Sequence, residues 1–377
     1  MTAEALESSK SACERLEVSP QTLYAYVSRG LIRVEKDSHD SRKSLYFSED
    51  IDALLSKKKL GRSRRSVAAS TIHFGEPILP SKLTRIEGGE FYYKGRNATE
   101  LSRELTLEET FDLLCGAHSS NYAAASRQLQ LPQLDRPIDR MLSTLASEVT
   151  SNSRHGDRRE AYRLLQVLSI SASGSMKALS EDEVHNRLAS AWSLSEEDSD
   201  IVRRALVLCA DHELNASAYA TRIAASAGAS LAASLLAGLA TLSGARHGGL
   251  TDMCRDWMRD AAKETQSELS KRISDLGAPP PGFGHPLYPS GDPRARELLS
   301  YCRPPRKWSG IATLIKKKYA AKPNLDFALA TIEARLDLPK GSGLAIFAIG
   351  RCVGWAAHTF EQRRFGRIIR PRAHVEE

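Results

Sequence analysis

The chain has 377 residues, of which 41% are hydrophobic and 26% charged, and its formal net charge is +7. This length suits two or three domains and this balance supplies a substantial core, which excludes collagen-like, disordered and disulfide-scaffold classes. Cys13, Cys115, Cys209, Cys254, Cys302 and Cys352 stand far apart, with no CxxC pair and no Cys–His metal spacing. They read as separate reduced thiols of a cytoplasmic protein, and no metal site is expected.

The first ten residues mix Glu4, Glu7 and Lys10 with small residues, unlike a secretory signal. Ser11 to Val18 suits a short helix, and Ser19-Pro20 supplies an N-cap and a first-turn proline for a second helix, Gln21 to Arg29, that stops at Gly30. A polar stretch, Asp37 to Lys43, is followed by strand-like Leu45-Tyr46-Phe47 and a helix restarting at Ser48. Two short helices joined by a tight turn can place the second in a major groove. The segments VSPQTLYAYVSRGLI and RKSLYFSEDIDALL resemble the MerR-like winged helix-turn-helix family, over residues 1–56. The resemblance implies groove contacts from Gln21, Thr22, Tyr24, Tyr26 and Arg29, with Arg42 and Lys43 on the wing for phosphate. The alternative is that Tyr24 and Tyr26 pack internally and the charges are solvated. Residues 57–70 read as a basic linker: Lys57 to Arg65 can form no apolar face but can clamp phosphates.

Past Ser70 a short β-like entry, Leu83 to Tyr93, turns at Gly88-Gly89. Helical periodicities follow at about 107–115, 121–129, 137–149, 159–171, 180–191, 199–210, 215–242, 251–276, 293–301, 309–319, 324–336 and 343–363. The stretch Ile223 to Ala245 carries no charge, but Ala, Ser, Gly and Thr dominate it. Such density of small residues suits closely packed interior helices and not a membrane span.

Short polar segments interrupt these helices where a simple bundle needs none. They are Asp211 to Ser217 (DHELNAS), Gly244 to Gly249 (GARHGG), Pro279 to Pro289 (PPPGFGHPLYP) running on to Asp292-Pro-Arg294, Asn324 to Phe327 (NLDF), Gly350 to His358 (GRCVGWAAH), and Arg370-Pro-Arg372. In this order they resemble the citrate synthase family, from about Leu83 (LTRIEGGEFYYKG) to the C-terminus, most weakly at about 117–200. The resemblance implies a mainly α, large multi-helical fold over 71–377 with a large and a small subdomain, the small one at roughly 250–345, preceded by the small winged helix-turn-helix module.

It also implies roles. His247 polarises a thioester carbonyl, His285 protonates the oxygen of the second substrate, and Asp326 removes a proton from the acyl methyl carbon. His247 precedes two glycines and a helix start, whose dipole is expected to keep it neutral. Asp326 reads equally as a first-turn charge complementing a helix dipole. Arg294, after the Asp292-Pro293 helix start, and Arg351, inside an apolar helix, would clamp carboxylates; for Arg351 the structural alternative is an internal Glu partner. The family pattern adds His212 to the oxaloacetate site and Arg370 reaching across from a partner subunit. Two departures stand out. Pro286 and Pro289 occupy a loop where relatives often carry Arg or Lys for coenzyme A phosphates, and Ala328-Leu329 follow Asp326 where small polar or aromatic residues are usual.

The implied activity is condensation of acetyl-CoA, or propionyl-CoA, with oxaloacetate to citrate, or 2-methylcitrate, and CoA. It implies a homodimer with shared active sites, no cofactor beyond the CoA thioester itself, no membrane, and duplex DNA as a partner of the amino-terminal module. The alternative is a transcription regulator that senses CoA thioesters or dicarboxylates through a catalytically weak domain. The intact His247, His285 and Asp326 set favours the enzyme, whereas Pro286, Pro289 and the helix-turn-helix pattern favour the regulator.

Overall fold

The computed structural model describes residues 6–28, 31–37, 40, 43–52, 55, 79–122, 130–150, 157–176 and 181–371. Two compact units result, Met1–Leu79 with Arg372–Glu377, and Pro80–Pro371. In the first, helix Ser9–Leu16 is capped by Ser8 and ends at Glu17 with φ +52°. Helix Pro20–Ser28 follows, with Ser19 Oγ accepting from the Thr22 amide at 3.4 Å. Strand Ser44–Phe47 lies between Leu6–Ser8 and Val34–Lys36 in an antiparallel sheet, pairing Leu6 with Phe47 and Val34 with Tyr46. Ala12, Leu16, Leu23, Ile32, Tyr46 and Ile51 form its core. The two flanking strands are too short and polar to signal themselves by alternation.

The larger unit opens with the hairpin Thr84–Glu87 and Glu90–Tyr93, joined through Gly88 and Gly89 at φ +62° and +80°, a turn that only residues free to adopt positive φ make cheaply. A third strand, Arg96–Asn97, completes this sheet, and helices make up the rest. Helix Ser342–Phe365 runs through the middle, buried over most of its length. Gly350 and Gly354 permit its close approach to helix Glu196–Cys209 and the residues after it: a Cβ at either would fall 2.5 Å from the Leu206 carbonyl oxygen or 2.4 Å from that of Ala210. That contact sets the position of Arg351 against the segment starting at Asp211. Helix Leu325–Arg335 serves two cores at once. Leu325, Ala328, Leu329 and Ile332 join the main core, whereas Phe327 and Ala330 join a second one around Cys254, Met258, Phe283, Trp308 and Ile315. Asp326 therefore sits where the two cores meet.

Several predicted elements differ. The single helix expected over 215–242 is two, Ala216–Ser226 and Leu231–Leu242, because Gly228 turns at φ +82° and Ser230 caps a new start. Neither half is long enough to cross a membrane. Among the described residues only Ser342–Phe365 has that length and apolarity, and 94% of its most apolar window is buried in the protein. The helix expected over 251–276 is also two, Gly249–Ala261 and Gln266–Asp275, the second begun by a Thr265–Glu268 capping box. A short helix, Ala98–Glu104, capped by Asn97, was not predicted. The helix predicted at 180–191 begins at Val184, and that at 121–129 lies largely outside the described residues.

Candidate active site

Helix Glu196–Cys209 ends where the chain turns through Asp211 and His212, and Asn215 caps the next helix. Asp211 is fully buried and accepts hydrogen bonds from Thr84 Oγ1 at 2.5 Å and from His358 Nε2 at 3.2 Å. Arg222 Nε donates to His358 Nδ1 at 3.1 Å, which leaves the imidazole proton on Nε2, facing Asp211. Burial alone would raise the Asp211 carboxyl, but His358, Arg351 and Thr84 outweigh it and hold it below the usual carboxylate range. His212, the next residue, is buried with Nε2 2.7 Å from Tyr288 Oη. Burial, reinforced by Arg294 and Arg351, pushes it well below 6.5, so it is neutral.

Arg351 is buried and donates from Nε to the Cys209 carbonyl at 2.8 Å, but its Nη2 is buried without a hydrogen-bond partner. No carboxylate lies within ion-pair distance of it among the described residues, so the internal Glu partner considered from the sequence is not there. Its guanidinium packs 5.0 Å over the Phe347 ring. Burial lowers its pKa although Asp211 opposes the fall. Arg294 differs: Nε and Nη2 grip Asp292 at 2.9 and 2.8 Å. Asp292 in turn accepts from the Leu325 amide at 3.0 Å and so ties the start of helix Pro293–Tyr301 to that of helix Leu325–Arg335. Arg294 is thus half of a closed pair, whereas Arg351 has a donor to spare.

His247 precedes Gly248 and Gly249, where a Cβ would meet the Leu242 and Gly244 carbonyl oxygens at 2.8 Å. Its Nε2 lies 2.9 Å from Ser217 Oγ. It is lowered to about 4 by burial and then by Arg351, so it is neutral as expected. His285 sits in the Pro/Gly-rich loop, its Nδ1 accepting from the Leu287 amide at 3.2 Å, and burial with Arg294 lowers it to about 4. Asp326 lies in the first turn of its helix behind the Asn324 cap and accepts from Thr251 Oγ1 at 2.6 Å. Burial raises it to about 6 although Thr251 and Arg294 oppose the rise. At neutral pH it is an ionised carboxylate of raised basicity.

Ring contacts draw His212, His285 and Tyr288 together, with centroids 5.0–5.5 Å apart, and Arg294 lies 5.6 Å over the Tyr288 ring. Phe347 touches both His247, at 6.1 Å, and Arg351. A cavity of about 150 Å³ adjoins them, lined by Gly284, His285, Tyr288, Asp292, Lys322 and Asn324 among others. Arg370 lies exposed on the tail, next to Ile369, whose amide donates to Ser226 Oγ at 3.0 Å. Tyr288, Ser217 and Thr251 were not singled out as site residues from sequence; each lies inside or one to three residues from a motif that was. In the amino-terminal unit Gln21 is exposed and Tyr24 is 61% exposed, whereas Thr22 is partly buried beside Ser19 and Tyr26 packs against the core. Tyr26 thus serves packing, the alternative weighed for it. Lys43 is exposed and 3.5 Å from Asp40, while Arg29, Arg42 and the 57–65 run fall outside the described residues.

The family model described as citrate synthase, C-terminal domain, matches residues 74–372. The chain is similar to a citrate synthase of Haloferax volcanii, 28% identical over 353 residues, covering 79% of this chain and 93% of the relative. It is similar to citrate synthase 2 of Bacillus subtilis, 31% identical over 186 residues, covering 45% of this chain and 49% of the relative. A 2-methylcitrate synthase 1 of Corynebacterium glutamicum is 27% identical over 188 residues, covering 47% and 49% respectively. Among solved structures, the ternary complex of carboxymethyl coenzyme A and oxaloacetate with citrate synthase from Thermoplasma acidophilum superposes with a TM-score of 0.68 at 22% identity, covering 82% of this chain and 96% of that one.

Proposed function

The chain belongs to the citrate synthase family and is a citrate-synthase-type enzyme, and on that footing we propose that it condenses acetyl-CoA or propionyl-CoA with oxaloacetate through Asp326, His247 and His285. One observation carries the assignment. At neutral pH Asp326, raised to about 6, is ionised while His247, lowered to about 4, is a neutral imidazole. A methyl proton next to a thioester is only weakly acidic. Its removal needs a carboxylate base together with a hydrogen-bond donor on the carbonyl that takes the electron pair. Asp326 is that base. Ser217 Oγ spends its one proton on Asn215 Oδ1 at 2.7 Å, so neutral His247 carries its proton on Nε2, 2.9 Å from Ser217 Oγ, and this N–H is the donor that turns to the thioester carbonyl. The enol then attacks the oxaloacetate carbonyl, which His285 polarises and protonates, and water hydrolyses the citryl thioester.

Oxaloacetate brings two carboxylates. Arg351 offers a buried, unspent Nη2, but Arg294 is already paired with Asp292. His212 and His285 are neutral, so a further cation completes the site, and Arg370 of the partner subunit supplies it. The exposed apolar side chains Ile223, Phe365 and Ile368, on helix Ala216–Ser226, at the end of helix Ser342–Phe365 and on the tail beyond it, suit the surface of such a homodimer. The amino-terminal unit is read as a winged helix-turn-helix that binds duplex DNA, with Gln21 and Tyr24 exposed on its second helix.

The deciding experiment measures CoA release by purified protein with oxaloacetate and either acetyl-CoA or propionyl-CoA. Oxaloacetate-dependent release supports the reading, and the preferred thioester identifies the product. No release with either thioester, from protein shown to be folded, sinks it.

A further inference from the structure

We propose that Tyr288 is a positioning residue of the oxaloacetate site: its phenolic O–H donates to Nε2 of His212, which puts the imidazole proton on Nδ1 and makes Nδ1 the nitrogen that donates to the substrate. The inference rests on the assignment of His212 to oxaloacetate made above.

Tyr288 is 2% exposed, and its Oη lies 2.7 Å from His212 Nε2. A buried phenol has one proton and needs an acceptor for it. Nε2 of His212 is the only hydrogen-bond partner that the described residues offer Tyr288 Oη. The reverse arrangement, with Nε2–H donating to the phenol oxygen, strands that proton in a buried site at a cost of about 1–3 kcal/mol. Burial pushes the phenol above its ordinary range although Arg294 opposes it, so the group stays an O–H donor. His212 is held neutral, so it has one nitrogen free to accept.

The loop is built to hold the ring in this place. The Tyr288 amide donates to the His285 carbonyl at 3.0 Å and the Gly291 amide to the Tyr288 carbonyl at 2.9 Å, two consecutive turns. They set the His285 and Tyr288 rings 5.0 Å apart, with the Arg294 guanidinium over the Tyr288 ring. Pro286 and Pro289 fix φ on both sides of Tyr288. The two prolines that stand where relatives often carry cations thus stiffen the segment that aims this hydroxyl. Through one hydrogen bond, the turn bearing His212 is tied to the loop bearing His285.

The test is a ¹⁵N spectrum of histidine-labelled full-length protein, with His212 assigned by its absence in His212→Gln, together with oxaloacetate titration of wild type and Tyr288→Phe. The expected wild-type signal is a neutral imidazole with a pyridine-type Nε2 and a protonated Nδ1. Tyr288→Phe keeps the ring and its packing. It should lower oxaloacetate affinity by about five- to tenfold, the worth of one buried hydrogen bond, and leave kcat at saturating oxaloacetate within about twofold. A purely structural role would not move affinity alone. Wild-type His212 protonated at Nε2, or unchanged affinity in folded Tyr288→Phe, overturns the inference; the spectrum decides even if the variant fails to fold. Absence of oxaloacetate binding by the wild type overturns the site assignment itself and is read separately from the tautomer.

Discussion

Thr251 Oγ1 donates to Asp326 Oδ1 across 2.6 Å and so joins the first turn of helix Gly249–Ala261 to the first turn of helix Leu325–Arg335. His247 lies four residues before Thr251, just ahead of that first helix. Asp326 and His247 are therefore placed by one short piece of backbone and one hydroxyl. Thr251 also opposes the rise that burial imposes on the Asp326 carboxyl, so it tunes this carboxylate as well as aiming it.

A pH profile reads that tuning. With Asp326 at about 6, condensation should fall as pH drops through 6 and the carboxylate takes up a proton. Thr251→Val removes a bond that favours the ionised form, so the acid limb should move to higher pH, by up to about one unit for a hydrogen bond worth about 1 kcal/mol. An acid limb that stays put in folded Thr251→Val would show that the limb belongs to another group.

Asp326→Asn separates chemistry from binding. It keeps an acceptor for Thr251 and leaves the arginines alone, so oxaloacetate binding should persist while condensation is lost. Turnover retained within about tenfold, ~1.4 kcal/mol of barrier, would remove Asp326 from the mechanism. Stability should move the other way. A carboxyl whose folded pKa is raised from 3.8 to about 6 favours the folded state below 3.8 and loses that contribution as pH rises through 6. The neutral amide escapes the loss, so at pH 7 Asp326→Asn should be more stable by on the order of 3 kcal/mol, visible as a raised Tm.

The parts of this site that were legible in the sequence share a physical cause, and so do the parts that were not. Helix Pro293–Tyr301 matches its predicted bounds because Asp292-Pro293 is a capped start, and Leu107–Cys115 does so because Thr106 and Glu109 form a capping box. The run from Ala216 to Leu242 was read as one helix because its Ala, Ser and Leu pattern continues through Gly228, whose positive φ only the folded chain displays. The segments bearing His212, His247, His285 and Asp326 stood out as polar interruptions of apolar helices, and the resemblance to the citrate synthase family singled out these residues within them. Ser217, Thr251 and Tyr288 did not, because a hydroxyl near a motif is unremarkable until a partner 30, 75 or 76 positions away meets it. Arg294 and Arg351 looked alike as carboxylate clamps, and only the Asp292 pairing of the first tells them apart.

The spare donor of Arg351 makes a second test. A buried guanidinium with an unpartnered Nη2 should gain from an incoming carboxylate, so oxaloacetate should raise the Tm of the wild type. Arg351→Met removes that cation and should weaken oxaloacetate binding by about 2–5 kcal/mol, abolishing the ligand-induced shift at millimolar concentration. A shift of undiminished size in Arg351→Met would mean that the carboxylate is bound elsewhere.

Subunit mixing tests Arg370. Arg370→Ala should weaken oxaloacetate binding, and His247→Ala should abolish condensation. If Arg370 serves the partner's site, a mixed dimer has one site carrying both lesions and one carrying neither. Such dimers should recover roughly half the wild-type activity per dimer, one intact site in two. No recovery despite verified subunit exchange would place Arg370 in its own chain's site, or in none.

DNA binding by the amino-terminal unit is the remaining prediction. Its second helix, Pro20–Ser28, has a serine-capped, proline-led start and carries Gln21 and Tyr24 at the surface, while Tyr26 is turned to the core. A helix packed on one face and polar on the other can lie in a major groove. One copy has few base contacts to offer. Two copies joined through a dimer of the larger unit gain effective concentration and read a two-fold symmetric site. The basic run from Lys57 to Arg65, with Lys43, adds sequence-independent phosphate contacts, so affinity should fall steeply with salt. Fluorescence anisotropy on genomic fragments at two salt concentrations, with full-length protein and with residues 1–65 deleted, measures both terms. Deletion should eliminate DNA binding and leave oxaloacetate-dependent CoA release unchanged. If the full-length protein shows no salt-dependent affinity for any duplex, the unit contacts protein instead, and the exposed Gln21 and Tyr24 belong to that interface.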